Sequence, residues 1–213
     1  MCIRDSLTQG FVHRVFAELV GALKYLHGNW IVHRDIKLEN VLVNVPPIEL
    51  QQITDYETYP HSVVTLTDLG LGRFIPKPPE SPLLSTRCGS EDYAAPELLM
   101  GQEYDGRSVD AWALGVLLYA MIEARLPFDP IPGARRQSPK THRIARCDWT
   151  WIKYADADGE WDDGKGNGFE GARDCVDNLL IRARSRWDIA KLANNPWVQS
   201  GIQVDSLTQH TVI

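Results

Sequence analysis

Eight residues constrain this chain more than any others: His33-Arg34-Asp35-Ile36-Lys37-Leu38-Glu39-Asn40, an ionisable run between a helical pattern and a short apolar one. Upstream, Val12, Val15, Phe16, Leu19, Val20, Leu23 and Leu26 recur at three- and four-residue steps. That is the stripe of an amphipathic helix starting near Leu7. His27-Gly28-Asn29 supplies its stop signal, with Gly28 as the residue that leaves the helix at positive φ. Ile31-Val32 and Val41-Leu42-Val43 are β-rich and predict a small sheet that holds the octapeptide rigidly. Taken alone, the octapeptide reads equally well as a solvated turn before a strand.

Two later triplets decide between these readings. Asp68-Leu69-Gly70 follows the apolar run Val63-Val64-Thr65-Leu66, and Ala95-Pro96-Glu97 comes after it. In this order and spacing the three stretches resemble the catalytic loop, the magnesium-binding triplet and the A-P-E triplet of eukaryotic-type serine/threonine protein kinases. The resemblance covers residues 7–198, with residues 1–6 unmatched and 199–213 a tail without pattern. It implies an α+β, mainly α, protein-kinase-like fold: a C-terminal helical lobe around a small catalytic-loop sheet. Residues 44–62, with Pro46-Pro47 and a polar stretch, and residues 155–168 stand as insertions.

Phosphoryl transfer from ATP needs little covalent help from protein, so the work falls to positioning and charge. The resemblance implies that Asp35 is the catalytic base meeting the attacking hydroxyl and that Lys37 steadies the transferred phosphoryl group. Asn40 and Asp68 would hold Mg2+ through hard oxygen ligands. Glu39 and Leu42 would lie on the ATP-binding side, Leu42 as the apolar floor under adenine. Glu39 also remains as a partner for a basic substrate residue, since Ala120 stands where arginine-directed kinases carry Glu. Leu69, replacing the usual Phe, would be an apolar plug behind the site.

Thr86, or else Ser85, occupies the activation-loop phosphosite, and Arg34 would clamp that phosphate, a guanidinium fork matching phosphate oxygens bidentately. Such a site implies an activating kinase as partner beside protein substrates. Ser90 would face Asp35 and Lys37 beneath the substrate residue, which with Lys37 points to serine/threonine specificity. Asp110, in Asp110-Ala111-Trp112-Ala113-Leu114-Gly115, would support the catalytic loop backbone. Glu97 would pair with Arg186, Arg184 being the other candidate.

Three remaining stretches carry weaker signals. Ser108 to Ile122 is apolar on nearly every side and predicts a helix buried in the core. Arg135 to Arg146 reads as a helix with a solvated basic face. Residues 156–168 fail the register of a calcium loop, because Gly159 and Trp161 would have to supply ligands. A flexible acidic insertion is the expectation there.

The net charge of −6 argues against a nucleic-acid-coating surface, and no nucleic-acid partner is expected. No membrane association is expected either, since the longest apolar run, Ala111 to Ile122, is too short to span a bilayer. Met1-Cys2-Ile3-Arg4-Asp5-Ser6 lacks the apolar core of a signal peptide. Cys2, Cys88, Cys147 and Cys175 form no C-x-x-C pair, so reduced thiols and a cytoplasmic or nuclear location are expected.

Nothing in the sequence corresponds to the glycine loop, strand lysine and regulatory helix of a kinase's N-terminal lobe. Two expectations follow. One is a fragment of an active serine/threonine kinase, itself inactive without that lobe. The other is a catalytically inactive kinase-like module that binds or scaffolds partners.

Overall fold

A computed structural model describes residues 8–134 and 136–203. The amphipathic stripe forms α1 (Gln9–Gly28), capped by the Thr8 side chain, which accepts from the Phe11 N–H at 3.2 Å. Its apolar face, including Phe16, Leu19 and Leu23, is buried. Gly28 stays inside the helix. The turn at positive φ falls instead on Trp30, at 60°. The left-handed backbone that a non-glycine residue resists is stabilised here by contacts: the Arg107 guanidinium lies 5.4 Å from the Trp30 ring centre, and the Trp30 carbonyl accepts from Ile75 N–H at 2.8 Å.

The strands β1 (Ile31–Val32), β2 (Val41–Val43), β3 (Val64–Leu66) and β4 (Arg73–Phe74) do not join in one sheet. β1 pairs antiparallel with β4, and β2 with β3 in the register Val41↔Leu66 to Val43↔Val64. The expected single sheet is thus two ribbons. A 3-10 turn at Leu38–Asn40 redirects the chain between β1 and β2, so each strand finds its own partner downstream. A third ribbon joins β5 (Leu83–Leu84) to β6 (Tyr104–Asp105).

The core is built on α4 (Gly106–Glu123), buried from Val109 to Glu123 as its all-round apolar sequence requires. It packs on α1 and on α6 (Glu170–Leu179), while α1 also meets α7 (Ile189–Ala193) and α8 (Pro196–Ser200). Two short helices, α2 (Pro47–Leu50) and α3 (Pro96–Leu99), precede α4.

Three expectations about the peripheral segments change. Residues 44–62 do run over the surface at Ile48, but their far end is tied down. Tyr56 is buried and meets Phe11 edge-on, and Arg14 on α1 donates to the carbonyls of Tyr56, Glu57 and His61, each at 3.0 Å. The basic stretch begins its helix, α5 (Lys140–Arg146), later than expected. It is not wholly a solvated face, because Arg143 is buried and donates to the carbonyls of Phe128 and Asp129 at 3.3 and 3.2 Å.

Residues 155–168 are not a flexible insertion. Trp161 is buried, pairs its backbone with Ala155 and packs edge-on against Trp151 at 4.7 Å. A side chain at Gly166 would lie 2.1 Å from the Trp161 ring, so only glycine allows this closure. The acids form turns: Asp156 accepts from the N–H groups of Asp158 and Glu160, and Asp162 from those of Gly164 and Lys165.

Candidate active site

The octapeptide is held from below by α4. Both carboxylate oxygens of the fully buried Asp110 accept backbone N–H groups, from His33 at 2.9 Å and Arg34 at 2.7 Å. His27 adds a third contact, its Nε2 lying 2.9 Å from Asp110. These bonds hold Arg34 at φ 66°, a conformation that costs a non-glycine residue of order 1 kcal/mol and clusters at functional sites. The support expected of Asp110 is therefore in place; the part of His27 was hidden in the sequence behind its reading as a helix stop.

The turn at Arg34 leads into Asp35, which is buried at 8% exposure. Lys37 Nζ donates to Asp35 Oδ2 at 2.7 Å and to Ser90 Oγ at 3.0 Å. Ser90 donates both its backbone N–H and its hydroxyl to Asp35 Oδ1, at 3.0 and 2.9 Å. Three residues expected to converge, Asp35, Lys37 and Ser90, do so. Burial pushes the Asp35 carboxyl up, yet the bonds from Lys37 and Ser90 outweigh it and hold the group below its ordinary value. The same bond to Asp35 raises the Lys37 ammonium. The pair is a carboxylate and an ammonium across the neutral range.

Asn40 donates its amide N–H to the Asp35 carbonyl at 2.8 Å and to Asp35 Oδ2 at 3.2 Å, which turns its amide oxygen to other use. Thr67 donates its N–H and hydroxyl to the Asn40 carbonyl at 2.8 and 3.0 Å, so Asp68, the next residue, starts beside Asn40. Asp68 sits at φ 63°, and one of its oxygens accepts from Gly70 N–H at 3.1 Å. This donor set is two hard oxygens, which suits Mg2+. Among the described residues no three His, Cys, Asp or Glu side chains could hold a metal together, so a cation here would draw its other oxygens from phosphates and water.

Leu69, expected as an apolar plug, is half exposed on the turn Leu69–Leu71 and lines a cavity with His33, Leu66 and Tyr25. Leu42 is likewise half exposed, on the face of β2 opposite Val41 and Val43. Those two valines line an apolar groove of ≈ 1000 Å³ with Glu39 at its edge.

Ser85 and Thr86 are exposed. Arg34 Nε donates to the Leu71 carbonyl at 2.8 Å, while its Nη1 is buried without a hydrogen-bond partner. Glu97 and Arg186 form a two-pronged buried pair at 2.7 and 3.2 Å, and Arg184 is exposed. Sequence reasoning passed over Thr67, Gly89 and Tyr104. Of these only Gly89 offered a cue, as a glycine in an ionisable stretch.

The model of the protein kinase domain family matches residues 3–198. The chain is 42% identical over 204 residues to the serine/threonine-protein kinase PRR1 of Saccharomyces cerevisiae, a match covering 94% of this chain and 37% of that protein. It is 39% identical over 145 residues to the serine/threonine-protein kinase ppk27 of Schizosaccharomyces pombe, covering 66% of this chain and 35% of that one. The protein kinase domain-containing protein ppk9 of the same yeast is 39% identical over 194 residues, 91% of this chain and 30% of its own length. The chain thus spans about a third of the length of these relatives. With the octapeptide, Asp68 and the Glu97–Arg186 pair arranged as described, the chain belongs to the eukaryotic-type protein kinase domain family.

Proposed function

We propose that this chain is the C-terminal, helical lobe of a serine/threonine protein kinase, transferring the γ-phosphate of ATP to Ser or Thr hydroxyls of protein substrates. The observation that carries the reading is the convergence of Asp35, Lys37 and Ser90, three groups from two segments, at hydrogen-bond distance. Kinases of this family use ATP with a divalent metal. Mg·ATP would supply the phosphoryl group and neutralise its charge.

The Asp35 carboxylate would orient the incoming hydroxyl and take its proton on one oxygen as the new oxygen–phosphorus bond forms and the bond from the γ-phosphorus to the bridging oxygen breaks, with ADP leaving. A carboxylate held below its ordinary pKa is a weak base, so its chief work is orientation, with the proton moving late. Lys37 places a positive charge beside that oxygen and stabilises charge on the transferred group. Asn40 and Asp68 would hold the metal, and Glu39 and Leu42 would border the nucleotide. Ser90 fixes the carboxylate and lies beneath the acceptor residue. A phosphate on Thr86, or on Ser85, added by an activating kinase, would satisfy the orphaned Nη1 of Arg34.

The exposed Tyr25 and Leu69, which line one cavity, would supply apolar contact for an N-terminal lobe in the full-length protein. The reading is tested by incubating that protein with Mg·ATP and a mixed protein substrate, then identifying the phosphorylated residues. Phosphoserine and phosphothreonine are expected. Phosphotyrosine alone, or no transfer by a folded, Thr86-phosphorylated sample, would contradict it.

A further inference from the structure

Tyr104 lies outside every motif read from the sequence, yet it is almost fully buried, at 3% exposure, beside the proposed phosphosite. Its hydroxyl donates to the Thr86 carbonyl at 2.6 Å. Arg34 and Cys88 face the same hydroxyl. On its own strand Tyr104 pairs with Leu84, two residues before Thr86. The next residue, Asp105, caps α4 by accepting from Arg107 N–H at 2.9 Å, and α4 carries Asp110, which holds Arg34. Tyr104 thus stands on β6, directly before the helix that fixes the catalytic loop, while gripping the segment that must lie over that loop.

The far end of that segment has little room to move. Gly89 has φ +92°, and a Cβ there would lie 2.5 Å from the Arg34 carbonyl oxygen. Ser90, one residue later, bonds Asp35 twice. Residues 86 to 90 therefore have two fixed ends: the Thr86 carbonyl on Tyr104 and Ser90 on Asp35. Between them the segment is only five residues long, too short to absorb a displacement at one end without transmitting it to the other.

We propose that Tyr104 is a positioning residue for the phosphotransfer site, its hydroxyl setting the path of residues 86–90 and so the placement of Ser90 against Asp35. The proposal rests on the kinase reading for its functional consequence, but its structural content does not. Burial raises the Tyr104 phenol above its ordinary value, so it stays a protonated donor through the neutral range. The ring packs the core and the backbone pairing holds the segment at Leu84, so Tyr104→Phe removes only the grip of the hydroxyl on Thr86.

Cys88 is a built-in reporter. It is half-buried within the segment, while Cys175 is fully buried on α6 and reports on the whole fold. In Tyr104→Phe, alkylation of Cys88 read by peptide mass spectrometry should accelerate about three- to tenfold, the scale of one lost hydrogen bond, with Cys175 unchanged. Amide exchange at Arg87 and Cys88 should rise by a similar factor. In the full-length protein, kcat should fall several-fold while the KM for ATP stays put.

Unchanged Cys88 labelling and exchange would overturn the proposal. Equal acceleration at Cys88 and Cys175 would also overturn it, since the hydroxyl would then stabilise the fold as a whole. Faster Cys88 labelling in a protein that transfers no phosphate would instead count against the kinase reading and leave the positioning role standing.

Discussion

Glu97 and Arg186 stand 89 residues apart in the chain and meet as a two-pronged ion pair inside it. Arg186 also donates to the Ser108 carbonyl at 2.9 Å and lies 4.9 Å from the centre of the Trp112 ring, so it joins α3, α4 and the segment before α7. Removing one member of such a pair leaves the other charge buried and unpaired. Arg186→Ala is expected to cost about 3–5 kcal/mol in denaturant unfolding, and the double change with Glu97→Ala less than the two single costs added together.

Asp110 is expected to be almost as costly for a different reason. Asp110→Ala strips the partners from two backbone N–H groups, those of His33 and Arg34, at a cost of about 2–5 kcal/mol in the same measurement. Because Arg34 is kept at positive φ by these bonds, amide exchange at His33 and Arg34 should rise more than at the buried residues of α6.

The Asp35–Lys37 pair makes a prediction in pH. The Asp35 carboxyl is lowered in the fold, so its contribution is present above the ordinary carboxylate value near ~3.9 and is lost as pH falls through the lower folded value. Lys37 is raised, so its contribution is present below the ordinary ammonium value near ~10.4 and is lost as pH rises through the higher folded one. The stability difference between the natural chain and Lys37→Met should therefore be flat from about pH 5 to about pH 10 and shrink outside that window. A difference that slopes across pH 6–8 would mean that another group titrates with the pair.

Trp161 tests the packed reading of residues 155–168. Trp161→Ala should destabilise by about 3–5 kcal/mol and open the acidic segment to limited proteolysis. If the segment were loosely held, the substitution would change neither.

How much of this was legible in sequence depended on how local each signal was. The stripe of α1 and the all-apolar α4 follow from periodicity, and the meetings of Asp35 with Lys37 and Ser90, of Asp110 with the octapeptide backbone and of Glu97 with Arg186 were legible because short motifs fix the residue types that must converge. The errors came from long-range packing. The acidic composition of 155–168 suggested flexibility, but a single tryptophan seated on Trp151 outweighs it. Arg143 looked solvated because its carbonyl partners lie 14 and 15 residues away. Tyr104 gave no sign at all, since its partner is a carbonyl and carbonyls carry no sequence.

The account turns on Asp35. The most direct measurement is the rate of phosphate transfer from Mg·ATP to a Ser/Thr protein substrate by the full-length protein carrying this chain, beside its Asp35→Ala variant. With ATP binding and the unfolding midpoint shown to be intact in the variant, the account predicts a loss of at least about a hundredfold in kcat. An Asp35→Ala protein that is folded, binds ATP and transfers phosphate at the natural rate would contradict it.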